Sequence, residues 1–154
     1  MSLELEIQKI IEAKFAELNR PDLIRTPIVA FSSAHDPKFA QLQTIVGPWH
    51  NLPTDFLPEA ESVISYFIPF TKEVAHAPKN EPDGSPVWSE AYILINQHFH
   101  VVNQAVQDYL ESQGYKAAQI KPPKAYDPET FHAIWSHRSA AVISQRICKL
   151  RSQL

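Results

Sequence analysis

Ser62-Val63-Ile64-Ser65-Tyr66-Phe67-Ile68 is apolar on both of its alternating faces, Val63 and Phe67 on one, Ile64, Tyr66 and Ile68 on the other. A strand that buries both faces lies in the middle of a sheet, and Pro69 closes this one. Further on, Ser85-Pro86 caps the strongest periodic element of the chain. Trp88, Tyr92, Ile95, Phe99, Val102, Val106 and Tyr109 recur three or four apart, while Glu90, Gln97, Gln104, Gln107 and Glu111 fall off the stripe. The spacing predicts a long helix over about 86–113, ended by Gly114. At ~1.5 Å per residue it spans roughly 40 Å, so part of its apolar stripe reaches past a small sheet, and a second copy of the chain would cover the excess.

Around these two elements the chain alternates. Leu3, Ile7, Ile10, Ile11, Phe15 and Leu18 predict an amphipathic helix that ends by Pro21. Ile28-Val29-Ala30-Phe31 reads as a short buried strand, and Asp36-Pro37 starts a helix running to about Val46, with Asp as cap and Pro in the first turn. Gly47 to Pro58, with Trp49, His50 and Asp55, suits an ordered irregular loop of the kind that carries ligands. His76 to Pro86, with its Asp83-Gly84 pair, reads as a flexible loop. Tyr115 to Ile120 is a short strand candidate that would join Ser62–Ile68 through a right-handed crossover. Asp127-Pro128 predicts a helix carrying Phe131, Ile134 and Trp135. The expected fold is α/β (or α+β), a small mixed sheet with a central buried strand near 62–68 packed by several helices.

The chain has 154 residues with 44% apolar side chains, which suits one domain over 1–154. Seventeen acids against 14 bases leave a net charge of −3, which argues against a nucleic-acid partner. Eight Phe, five Tyr and three Trp set against 13 Pro and three Gly mark a chain that folds. No stretch reaches the ~18 consecutive apolar residues of a membrane span and no signal peptide opens the chain, so a cytoplasmic protein without membrane partner is expected. From Arg138 onward every charged residue is basic, and 145–154 reads as a basic amphipathic tail.

The chemistry is sparse. His98 and His100 lie two apart on a predicted helix and point to different faces. His132 and His137 are five apart, no His-Glu-x-x-His occurs, and no metal site is expected. Gly47, Gly84 and Gly114 build neither a dinucleotide fingerprint nor a phosphate loop. Cys148 is the lone cysteine and has no identifiable base beside it. It excludes an internal disulfide, a four-cysteine zinc site and a thiolate-held [4Fe-4S] cluster in this chain. Trp135-Ser136-His137-Arg138-Ser139-Ala140-Ala141 is the most individual stretch. His137 and Arg138 suit an anion or cofactor contact there while Ser139 to Ala141 allow close packing; the alternative is an ordinary helix with a solvated polar face.

Leu57-Pro58-Glu59-Ala60-Glu61-Ser62-Val63-Ile64 followed by Ile68-Pro69-Phe70 resembles the corresponding strand region of epoxyqueuosine reductases and related iron–sulfur proteins. The long helix, Gly114-Tyr115, Pro122-Pro123 and Trp135 to Ala141 follow in the order of that family's N-terminal region, so the resemblance covers about Ala34 to Ser144. It implies an upstream domain that helps bind cobalamin, followed in the family by a Gly-Leu-Gly segment and cysteine motifs for two [4Fe-4S] clusters. This sequence continues instead with Gln145-Arg146-Ile147-Cys148. Where the family's catalytic aspartate is expected stand Thr130, Phe131 and His132; Asp127 is nearby in a helix cap, and the catalytic residue is left unknown.

The resemblance thus implies a non-autonomous N-terminal module, truncated before the cluster-binding part and not catalytic alone, with cobalamin as its cofactor by family. Trp49, His50, His137 and Arg138 are its candidate contacts, because they combine ring surfaces with hydrogen-bond donors. The alternative is a homodimeric interaction protein without small-molecule chemistry, using the long helix and the basic tail. A complete enzyme working by histidine acid–base chemistry lacks a constellation to carry it.

Overall fold

Helix starts are where the chain is most legible. Ser2, Asp36, Thr71, Ser85 and Ser136 each accept a hydrogen bond from a backbone N–H of the first turn that follows, at 3.3, 2.9, 3.4, 3.4 and 3.1 Å. Each satisfies a donor that the helix itself leaves unpaired. Pro37, Pro53 and Pro86 occupy first-turn positions, where a missing N–H costs nothing. A computed structural model of the protein describes residues 2–79, 84–120, 129–130 and 132–144. Along them run α1 (Leu3–Ala16), β1 (Ile28–Ser33), α2 (Pro37–Ile45), α3 (Pro53–Phe56), β2 (Ser62–Phe67), α4 (Lys72–His76), a 3-10 turn (Ala77–Lys79), α5 (Pro86–Ser112) and α6 (His137–Ile143). The architecture is α+β.

The chain divides into two compact units, each made of two segments: 1–28 with 67–113, and 29–66 with 114–154. In the first, α1 packs along α5. Ile7, Ile11 and Phe15 form its buried stripe, with Phe15 edge-on to the rings of His98 and Phe99. The side chain of His98 reaches the Lys14 carbonyl with Nε2 at 2.7 Å. An antiparallel bridge joins Ile24 to Phe70, and the Arg25 N–H donates to the Pro69 carbonyl at 2.8 Å. Leu23, Val74 and Ala91 close a second small core there.

In α5 the buried positions are Ala91, Ile95, Val102, Val106 and Leu110. The expected stripe is correct in its middle and turned by one residue at both ends. Trp88 and Tyr92 stay exposed and stack on each other at 5.1 Å, while Ala91 is fully buried. A methyl side chain lets the helix approach Leu23 and Val74 closely, which an indole at that contact would prevent.

The second unit contains β1 and β2, paired antiparallel as a two-stranded sheet. The Ala34 N–H donates to the Glu61 carbonyl at 2.9 Å beyond their ends. Three sequence expectations are corrected here. The strand near 62–68 has a single partner among the described residues, so it is neither central nor part of a mixed sheet, and Val63 to Tyr66 are half-buried. Tyr115 to Ile120 forms no strand, so the crossover expected to lead into it is absent; Ile120 packs instead against the cluster of Phe39, Leu42, Trp135, Ala140 and Ile143. Residues 132–136 are not helical, because the helix begins only after its cap at Ser136.

The loop expected over Gly47–Pro58 holds the single turn α3, fixed by the Asp55 carboxylate accepting from the Leu52 N–H at 2.7 Å. In the expected loop over His76–Pro86, helical structure continues to Lys79. Asp83, Pro122-Pro123, Asp127-Pro128, Phe131, Cys148 and the basic tail 145–154 lie outside the described residues. Among the described residues, no helix is long and apolar enough to cross a membrane.

Candidate functional site

After α2 the chain reverses over Gly47, whose φ of +148° is a conformation that favours glycine. The His50 N–H donates to the Gly47 carbonyl at 3.0 Å, which folds Trp49 back over the turn. A Cβ on Gly47 would fall 2.3, 2.4 and 2.5 Å from Cζ2, Cη2 and Cε2 of Trp49. Three consecutive ring atoms at nearly equal distance mean that the indole lies flat on the glycine. The His132 imidazole stacks on the same indole, with centroids 3.7 Å apart and planes 4° from parallel. Trp49 is 38% exposed, and what it offers solvent is the remainder of a ring already covered by Gly47 and His132.

His50 points the other way. It is 1% exposed and its ring lies 5.5 Å from that of Trp135. Trp135 in turn stacks on Phe39 and meets Phe56 edge-on, inside the core that includes Leu42, Ala140 and Ile143. The main chain around His50 is tied down on both sides. Gln43 Nε2 donates to the His50 carbonyl at 2.9 Å, and the Asn51 N–H donates to the Ile134 carbonyl at 2.8 Å.

The Ser136 N–H donates to Nε2 of His50 at 3.1 Å. Accepting that bond requires a lone pair on Nε2, so the ring is neutral and carries its proton on Nδ1. Nδ1 is buried and has no hydrogen-bond partner among the described residues. Burial holds the imidazole below the ordinary histidine range, against a smaller opposing contribution from the Asn51 backbone.

The other half of the site is the start of α6. Ser136 caps it, accepting from the Ser139 N–H and donating its hydroxyl to Ser139 Oγ at 2.8 Å. Ala140 faces the core beside Trp135. At the helix end, Ser144 Oγ donates to the Ala140 carbonyl at 3.1 Å and lies 3.3 Å from Ser32 Oγ on β1. His137 and Arg138 are exposed in the first turn, and Arg138 forms no ion pair among the described residues. Desolvation by the surrounding protein lowers the His137 pKa from the ordinary histidine range.

All four residues singled out from the sequence therefore lie in the second unit, on two chain segments joined by the His50–Ser136 bond. They do not share one role. Trp49 is half of a stacked pair, His50 is an interior tie, and only His137 and Arg138 present polar groups to solvent. His132, which spacing weighs only as a metal ligand with His137, is the residue that covers Trp49. Nothing in spacing signals that stack; the only trace is a glycine two residues before a tryptophan. Among the described residues, no three His, Cys, Asp or Glu gather as a metal-binding group.

Of the four candidates, only His137 and Arg138 present exposed donors that the amide side chains around a corrin would reach. The imidazole of His50 is not available to a ligand, with Nε2 engaged by the Ser136 N–H and Nδ1 in the core. No family model, no curated protein and no solved structure matches the chain.

Proposed function

We propose that the chain is a cytoplasmic, non-autonomous module of the epoxyqueuosine reductase-like kind, which contacts a corrinoid through His137 and Arg138 and leaves electron delivery to clusters held elsewhere. The observation that supports this reading is a meeting in one core. Val63, from the Leu57–Ile64 stretch, packs against the cluster that holds Trp135 and Ala140, from the Trp135–Ala141 stretch. The two stretches that carry the resemblance are thus neighbours in the fold although far apart in the chain. Bound cobalamin supplies a redox-active cobalt. The chain's own residues hold its periphery, with Arg138 as a fixed cation and His137 as a neutral donor or acceptor.

Titration of the purified protein with aquocobalamin, followed in the visible spectrum, tests the contact. The expected result is a saturable change in the corrin bands that is lost in the His137→Ala/Arg138→Ala double variant. Bands that do not move with the native protein remove the corrinoid from this reading.

A second reading, a homodimeric interaction protein, is favoured by α5, where Trp88 and Tyr92 stand exposed and stacked together on the first unit. Large apolar side chains grouped at a surface are the usual mark of a partner. Sedimentation equilibrium separates this reading from the first: a monomer at high micromolar concentration rules out the dimer.

A further inference from the structure

We infer that the His50–Ser136 hydrogen bond is an acid-sensitive latch, intact only while the His50 imidazole is neutral, that holds α6 docked on its core. The latch rests on which atom donates. Ser136 offers a backbone N–H, which cannot accept, so a proton on Nε2 would set two donors against each other at 3.1 Å. A charged ring would also sit in a core beside Trp135 at 1% exposure, where an unpaired charge is costly. Ser136 is at the same time the cap of α6, which has seven residues. So short a helix has little stability of its own. Release of Ser136 therefore frees both the cap and the main chain leading into the helix.

Among the described residues, no charged side chain around the ring opposes the effect. On α2 and its cap, Asp36 is turned to the Lys38 N–H and to Lys38 itself. On α3, Asp55 is spent on the Leu52 N–H. His132 is stacked on Trp49, while His137 and Arg138 face solvent. Among the described residues, protonation of His50 thus meets no carboxylate that would stabilise it in place.

The direction of pH dependence follows from the two states. His50 in the folded chain titrates below its value in an opened one, because burial penalises the charged ring. Between those values the opened state binds more protons, so docking is full above about pH 6.5 and weakens as pH falls. The opening equilibrium of α6 should then rise up to tenfold for each pH unit until His50 itself titrates.

The test uses the full chain labelled with 15N. Side-chain nitrogen spectra should show His50 neutral at pH 7.5, with the proton on Nδ1, and titrating below the ordinary histidine range. Hydrogen-exchange protection at Ala140 to Ile143, corrected for the intrinsic pH dependence of exchange, should fall up to tenfold per unit below pH 6.5. In His50→Gln the side-chain oxygen can accept from Ser136 and carries no titratable proton, so protection there should become independent of pH. A proton found on Nε2 at pH 7.5 overturns the latch. So does native protection that stays flat between pH 7 and 5, or an unchanged acid dependence in the glutamine variant. The first two readings come from the native protein and stand even if the variant does not fold.

Discussion

Gly47 has no room for a methyl group. The Trp49 indole occupies the space that a side chain would need, and the φ of +148° disfavours any L residue. Gly47→Ala must push the indole off the turn and break its stack on His132. Overpacking of this kind costs about 1–3 kcal/mol. Gly114 separates collision from strain: its φ is +85°, but nothing lies within 4 Å of its Cβ direction. Gly114→Ala should cost about 1–2 kcal/mol from backbone conformation alone. Denaturant unfolding measures both losses. Only Gly47→Ala should also move the indole N–H resonance of Trp49. If that resonance stays in place, the ring does not lie where the turn puts it.

At the scale of elements, α6 is the most dependent on its cap. Ser136→Ala removes the acceptor for the Ser139 N–H and should cost about 0.5–2 kcal/mol, with amide exchange faster throughout His137–Ile143. Ser85→Ala removes the same kind of bond from α5, but that helix runs 27 residues against a buried stripe and should lose protection only in its first turn. Equal loss along both helices contradicts the role given to the Ser136 cap. Caps of this type were readable in the chain because one side chain and its nearest amides suffice to make them: Asp36-Pro37 and Ser85-Pro86 start helices where expected. What periodicity alone could not settle was which apolar side chains turn inward. Trp88 and Tyr92 fit the stripe as well as Ala91 does, and the choice fell to the close approach of Leu23 and Val74. In the same way β2 reads as a central strand, since its alternation records two apolar faces and says nothing of how many neighbours a sheet has. The site was legible in part. Loop composition marked Trp49 and His50, and the density of functional groups marked His137 and Arg138. That one pair would cover a ring and close a core depended on His132 and Ser136, which meet them only through long-range pairing.

For the whole molecule, the decisive feature is that neither unit is a continuous piece of chain. In the first, α1 comes from the beginning of the sequence and α5, its packing partner, from the second segment. In the second, Phe39 and Leu42 come from the first segment, Trp135, Ala140 and Ile143 from the last. A fragment comprising residues 1–66 therefore holds one part of each core and the whole of neither. Its longest helix, α1, has 14 residues, near the length at which isolated helices are marginal in water. Its two strands would form a sheet too small to persist without a packed face. The fragment should show a largely disordered circular dichroism spectrum and no cooperative thermal transition, whereas the full chain should unfold cooperatively. Trp135→Ala in the full chain gives the complementary measurement. It removes the side chain that contacts Phe39, His50 and Phe56, at an expected cost of about 3–5 kcal/mol. A fragment 1–66 that melts cooperatively would show that its half of the residues makes a core unaided, against the segment pairing seen in both units.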